Sequence, residues 1–232
     1  MSRAAVVIGA SGGIGGAFER ALIEEGGHDA VHGFARSRTG DQHLDLEDQA
    51  TIVAAAARIA AGPPVEMLLI ATGLLHDADR GPEKAFRDLD PAWLARTYAV
   101  NTIGPALVLK HFLPLMPKTG KPVFAALSAR VGSIGDNRMG GWHGYRASKA
   151  ALNMIVRNAS IEAKRRNDRA IVVALHPGTV DTALSKPFQS GVAPGKLFDA
   201  DRAALQLLDV IEGLGVADSG KMFAWDGVEV PF

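Results

Sequence analysis

The sequence predicts an α/β fold: a doubly wound, mostly parallel sheet of about seven strands with helices on both faces. Three observations carry this reading. Short, near-continuous apolar runs alternate with longer helical stretches along all 232 residues, as parallel strands covered on both faces do. The first run opens directly into a glycine-rich turn and then a helix. The length, with 47% hydrophobic residues, supplies a core without any staple, and the chain reads as one domain over 1–232.

Taken in order, the apolar runs Ala4–Gly9, Ala30–Ala35, Met67–Ala71, Val123–Ser128, Ile171–His176 and Met222–Trp225 are predicted strands. A short piece around His43–Leu46 is a further candidate. Helices are predicted over Ile14–Glu25, Asp48–Ala61, Ala92–Met116, Tyr145–Arg166 and Asp201–Glu212. The stretch from Tyr145 has the clearest period, with Leu152, Ile155, Val156, Ala159 and Ala163 on one face. Its end, Lys164–Arg165–Arg166 with Arg169, suits a helix C-terminus better than an anion site. Ser185–Phe198, with Pro187, Gly191, Pro194 and Gly195 and no period, reads as a loop.

Composition narrows the function classes. Lys+Arg 25 against Asp+Glu 25 leaves no basic excess, which argues against a nucleic-acid partner. Zero cysteines remove a disulfide scaffold, a thiolate metal site and a cysteine nucleophile. His28 and His32 are separated from a shared helix face by Gly26–Gly27 and the following strand, so no metal is assigned. The apolar runs Ile52–Ala57 and Ala170–Leu175 fall far short of the roughly 20 residues of a membrane span. Ala4–Ile8 stops at a glycine cluster and reads as a buried strand, not a secretory leader. A soluble, cytoplasmic protein with no membrane partner is expected.

Gly9–Ala10–Ser11–Gly12–Gly13–Ile14–Gly15 follows the first strand. Glycines let a backbone turn sharply and approach a pyrophosphate, and a helix N-terminus offers it free N–H groups. The spacing differs from the commonest dinucleotide fingerprint, and a tight turn with no ligand is the plainer alternative. The same residues match a Gly-x-Ser-x-Gly hydrolase elbow centred on Ser11. An elbow normally follows several strands and is served by a late histidine, whereas this turn follows the first strand and the last histidine is His176.

Tyr145 and Lys149 stand four residues apart, on one helix face. A free phenol, with pKa near ~10, exchanges protons poorly at neutral pH, and a nearby cation draws it downward. The spacing alone is also that of an ordinary exposed pair.

In combination, the glycine turn, Asn101, Tyr145-x-x-x-Lys149 and Pro177–Gly178–Thr179–Val180–Asp181–Thr182 resemble the short-chain dehydrogenases/reductases. Asn101–Thr102–Ile103–Gly104–Pro105 and Arg130–Asn137 with Gly140–Gly141–Trp142 resemble the branch of C-factor-like and sniffer-type carbonyl reductases. The resemblance covers essentially the whole chain. It implies a Rossmann-type domain, NADP or NAD as cofactor, a small carbonyl or secondary alcohol as substrate, and a homodimer or homotetramer. It also implies roles. Tyr145 would pass a proton to a carbonyl oxygen, with Lys149 lowering its pKa. Asn101 would hold a water leading to Lys149, or kink its helix. Gly9, Ser11, Gly12, Gly13, Ile14 and Gly15 would cradle the pyrophosphate, with Ala71, Thr72 and Gly73 alongside. Pro177, Gly178, Val180 and Thr182 would line the nicotinamide end. Asp45 and Leu46 would meet the adenine, although Asp45 reads equally well as a helix cap. No acid ends the second strand; Arg36, Ser37 and Arg38 favour NADP, unless they are simply solvated charges.

The pattern breaks at two places. The family usually has a catalytic serine three positions before a glycine, and Ala129 stands there before Gly132. Ser128 lies one residue earlier and should face the other side of its strand. Either Ser128 or Ser133 supplies the hydroxyl, or it is missing. Ile70–Ala71–Thr72–Gly73 replaces the usual Asn-Asn-Ala-Gly. These departures keep a second reading open, a cofactor-binding regulator with little turnover. Met139, Trp142 and His143 are candidates for shaping a substrate pocket or for plain packing.

Overall fold

The computed structural model describes residues 2–232. Strand β1 (Ala4–Ile8) leads through the glycine turn into helix α1 (Gly13–Glu25), followed by β2 (Ala30–Phe34), α2 (Gln49–Ala60) and β3 (Val65–Ile70). Next come α3 (Pro91–Tyr98), a π-helical turn (Ala99–Ile103), α4 (Gly104–Phe112), β4 (Val123–Leu127) and α5 (His143–Arg166). The chain ends with β5 (Ile171–His176), β6 (Thr179–Val180), β7 (Leu197–Phe198), α6 (Ala200–Gly213), β8 (Met222–Ala224) and β9 (Glu229–Val230). Seven strands form the main sheet in the order β2-β1-β3-β4-β5-β8-β9, and β6 pairs with β7 in a separate ribbon. All main-sheet pairs are parallel except β8–β9.

The strands are apolar on both sides because both sides are covered. Ile8, Leu68, Phe124, Val172 and Ala174 meet Ile52 of α2, Phe112 of α4, and Leu152 and Val156 of α5. The alternate residues, Val7, Leu69, Ala125 and Val173, meet Phe18 and Leu22 of α1 and Leu207 and Ile211 of α6. Helix starts are set locally: Asp48, Asp90 and Asp199 each accept a backbone N–H of the helix that follows.

Three expectations need correction. His43–Leu46 is not a strand; one bridge, Ala35 to His43, is all that forms, and the Asp45 carboxylate already turns the chain by accepting from Glu47 N–H. The seventh strand is instead β9, antiparallel at the edge. The helix expected over Ala92–Met116 runs on, but its α pattern is interrupted by the π-helical turn at Ala99–Ile103, where Pro105 has no N–H to give to the Asn101 carbonyl. The loop read over Ser185–Phe198 contains a 3-10 helix, Lys186–Gly191, and its end forms β7.

Candidate active site

A cavity of about 560 Å³ opens at the carboxyl ends of β1 to β5, the place where ligands sit in open α/β sheets. One end is the glycine turn. Gly9 sits at φ +91°, and a Cβ there would stand 2.7 Å from Ala71 O, so only glycine lets the turn lie against the end of β3. At Gly15 a Cβ would meet Gly9 O at 2.2 Å, so the start of α1 packs directly under the turn. Gly12 caps α1 without a side chain, and no acid stands in its first turn. The positive end of the helix is therefore left open to an anion.

Tyr145 and Lys149 lie on the wall at the other end, one turn apart on α5 and both buried. Gly132 brings the turn after β4 onto this helix, since a Cβ there would be 2.7 Å from Lys149 Cβ. Lys149 Nζ donates to Leu127 O at 2.8 Å and reaches Thr72 O at 3.5 Å. It stands 5.9 Å from the centroid of the Tyr145 ring. Loss of water pushes the Tyr145 phenol up to about 12 and draws Lys149 down to about 8. The net shift at the phenol is therefore upward, with burial as its cause.

Asn101 sits in the π-helical turn, fully buried. Its Oδ1 accepts from Leu74 N–H at 2.7 Å, and its Nδ2 donates to Leu74 O at 2.8 Å and to Ser148 Oγ at 3.0 Å. The side chain thus fastens the loop after β3 to α5. A Cβ on Gly73 would lie 3.7 Å from Lys149 Nζ and 3.8 Å from Asn101 Oδ1. The missing side chain keeps the space between them open.

Ser128 lines the cavity, but its hydroxyl donates to Asn153 Oδ1 of α5 at 2.7 Å. Ser133 is buried and accepts from Asp136 N–H, away from the cavity. Neither hydroxyl is left unengaged at the position Ala129 occupies in sequence.

Of the remaining predicted residues, Gly9, Ser11, Gly12, Gly13, Ile14, Arg36, Ser37, Asp45, Leu46, Ala71, Thr72, Gly73, Pro177 and Thr182 line the same cavity. Gly15, Gly178 and Val180 do not. Gly15 packs beneath the turn, Gly178 lies against Phe198 and Trp225, and Val180 is buried with Phe198 and Ala203. Arg38 is held by Glu19 and the Gly33 carbonyl, whereas Arg36 is 65% exposed with only Glu47 at 3.9 Å. Asp45 lines the cavity but does not cap a helix: Asp48 is the N-cap of α2, and the Asp45 carboxylate accepts from Glu47 N–H in the turn before it. Ser11 is exposed, and among the described residues no histidine is hydrogen-bonded to it, so the hydrolase elbow has no base. Met139 is exposed, Trp142 packs on Tyr145 and Phe188, and His143 stacks on Phe86.

Sequence reasoning missed His76, Arg96, Ala183 and Leu184 on the cavity wall. His76 Nε2 lies 3.2 Å from the carbonyls of Ala183 and Leu184, joining two loops more than a hundred residues apart. No local motif signals such a pairing. Among the described residues no three His, Cys, Asp or Glu side chains gather around a potential metal position, and no helix is long and apolar enough to cross a membrane.

The model of the family described as short chain dehydrogenase matches residues 3–193. This chain is a short-chain dehydrogenase/reductase. The C-signal protein of Myxococcus xanthus is 37% identical over 169 residues, covering 73% of this short-chain dehydrogenase and 93% of that protein. Among solved structures, the NADPH-bound carbonyl reductase from chicken fatty liver superposes with a TM-score of 0.83 at 26% identity, covering 100% of this chain and 94% of that one. The carbonyl reductase Sniffer of D. melanogaster shares the fold, with a TM-score of 0.81 at 22% identity over 100% of both chains. The resemblance to the C-factor-like and sniffer-type branch is thereby met. The cavity fits a dinucleotide on its own evidence: an uncapped helix start under a glycine turn, and a buried Thr72 hydroxyl with no partner.

Proposed function

We propose that this short-chain dehydrogenase/reductase is an NADP-preferring oxidoreductase that reduces a carbonyl or oxidises a secondary alcohol. The observation that carries the reading is the placement of Tyr145 and Lys149, both buried, on the wall of the cavity whose far end is the glycine turn. The bound nicotinamide would supply hydride exchange. The chain's own residues do the rest.

The glycine turn and the first N–H groups of α1 bind the pyrophosphate. Asp45 and Leu46 border the adenine, and Pro177 and Thr182 border the nicotinamide end. Arg36, with Ser37 beside it, takes the 2′-phosphate, because Arg38 is already committed to Glu19. The chicken carbonyl reductase with NADPH bound supports that preference.

Tyr145, a phenol that is protonated at neutral pH, donates to the carbonyl oxygen during reduction. Lys149, drawn to about 8, exchanges a proton near neutrality and restores the phenol. Asn101 holds the loop after β3 in place beside Lys149, and Gly73 keeps the space between them open. Ser128 is the hydroxyl at the end of β4 that would have to leave Asn153 to act as a second donor.

A specific observation favours a second reading, in which the protein binds NADP(H) but turns over slowly. Ala129 offers no hydroxyl, and Ser128 is engaged by Asn153. Loss of one oxyanion-type donor costs on the order of 10²–10³ in rate.

Cofactor fluorescence titration and turnover on a carbonyl panel separate the two readings. The expected result is NADPH consumption that Tyr145→Phe abolishes while NADPH affinity stays within about twofold. Binding without consumption selects the regulator. An active Tyr145→Phe enzyme rejects the assignment.

A further inference from the structure

Helix α5 begins abnormally for the element that carries Tyr145. Its N-cap, Trp142, is not glycine yet adopts φ 50°, and no local side chain caps the first turn. Gly140 and Gly141 just before it are also left-handed. The cap comes from 61 residues upstream: Glu83 Oε2 accepts from Gly144 N–H at 3.1 Å, and the Glu83 carbonyl accepts from Trp142 N–H. Glu83 is 4% exposed. Its second oxygen, Oε1, is buried with no hydrogen-bond partner. A Cβ on Gly144 would stand 2.9 Å from Oε1 and 3.0 Å from Leu94 Cδ2, so the missing side chain at 144 makes room for the carboxylate.

A buried carboxylate with one oxygen unpaired is costly to keep for structure alone, because a neutral acceptor would cap Gly144 as well. We infer that Glu83 is a positioning residue for Tyr145: reaching across from a distant loop, it fixes the first turn of α5 and with it the place of the phenol on the cavity wall. The inference rests on reading Tyr145 as the proton donor.

The surrounding charges leave this one uncompensated. On the same loop, Arg80 pairs with Asp90, and Asp88 accepts from Lys84 and Ala85 N–H. On α3, Arg96 pairs with Asp77. On α5, Arg146 donates to the carbonyls of Val131, Gly140 and Gly141, and His143 stacks on Phe86. Among the described residues none of these groups donates to Glu83. A negative charge at a helix start is itself favourable, which offsets part of the burial cost.

Glu83→Gln keeps an oxygen for Gly144, whereas Glu83→Ala removes the cap. The chain has two tyrosines, Tyr98 and Tyr145, so ¹³C-labelling the tyrosine ring, with Tyr98→Phe for assignment, reports the setting of the Tyr145 ring without any turnover. In Glu83→Ala kcat is expected to fall at least about tenfold through misplacement of Tyr145, with the Tyr145 ring signal shifted and NADPH affinity unchanged. In Glu83→Gln both kcat and the ring signal are expected to stay with the wild type. A Glu83→Ala protein with full kcat or an unmoved Tyr145 signal overturns the inference. So does a Glu83→Gln protein that loses kcat tenfold while its Tyr145 signal stays in place, and if Glu83→Ala does not fold, Glu83→Asp, whose shorter side chain draws the carboxylate back from Gly144, takes its place. Because the NMR signal needs no catalysis, its result stands apart from a failure of Tyr145 as the proton donor.

Discussion

Replacing Lys149 with methionine isolates what its burial costs. The side chain is 2% exposed, and loss of water draws its ammonium from 10.5 to about 8. At about 1.4 kcal/mol per tenfold, this is a penalty of about 3 kcal/mol on the charged native state. Methionine fills similar space but leaves Leu127 O without its donor at 2.8 Å, a loss of about 1–3 kcal/mol. At neutral pH the inactive variant is therefore expected to be as stable as the wild type or up to about 2 kcal/mol more so, with about 2–4 °C in Tm for each kcal/mol.

The pH dependence follows from the direction of the shift. Below about 8 the lysine is charged both folded and unfolded, and the whole penalty is felt. Between about 8 and 10.5 the unfolded chain binds a proton that the native state does not, so wild-type stability rises with pH. Methionine has nothing to titrate. The variant's advantage should thus shrink by about 3 kcal/mol from neutral pH to about pH 10 and end as a deficit, contributions from all other groups cancelling in the difference. Thermal or urea unfolding of both proteins across that range measures it. A stability difference that stays constant with pH refutes the reasoning.

Arg36→Ala is expected to weaken NADPH binding about tenfold and NADH binding much less, since it removes a charge-assisted contact to one phosphate; equal weakening of both by fluorescence titration rejects the 2′-phosphate role. Arg38→Ala, which breaks the pair with Glu19, should instead cost about 1 kcal/mol of stability and leave coenzyme preference unaltered. Gly15→Ala puts a Cβ 2.2 Å from Gly9 O, so α1 must move, at about 1–3 kcal/mol in stability and with loss of NADPH binding. An unchanged melting temperature and affinity would contradict the packing described.

Much of this was legible in the residues because the signals were local. Continuous apolar runs such as Ile171–Leu175 mark strands buried on both faces, and Tyr145 and Lys149 share a helix face by spacing alone. What escaped depended on distant partners. Glu229–Val230 has no apolar run and becomes a strand only by pairing with Met222 and Phe223. Arg36 and Arg38 look alike in sequence, and it is Glu19, on α1, that withdraws one of them. Glu83 reaches Gly144 across 61 residues. The upward shift at Tyr145 was hidden for a related reason: spacing shows a neighbouring cation, whereas burial is a property of the whole assembled cleft.

The π-helical turn at Ala99–Ile103 has a further geometric consequence. An extra residue in one turn rotates everything after it by about 100° about the helix axis. In an unbroken helix, Val108, Leu109 and Phe112 would be swung away from the direction set by Trp93 and Thr97 by roughly that angle. The additional residue cancels the offset, so that one winding path satisfies two packing partners in succession. Asn101 lies within this splice, so the turn that sets the phase of α4 against the sheet also carries the side chain that holds the β3 loop in place.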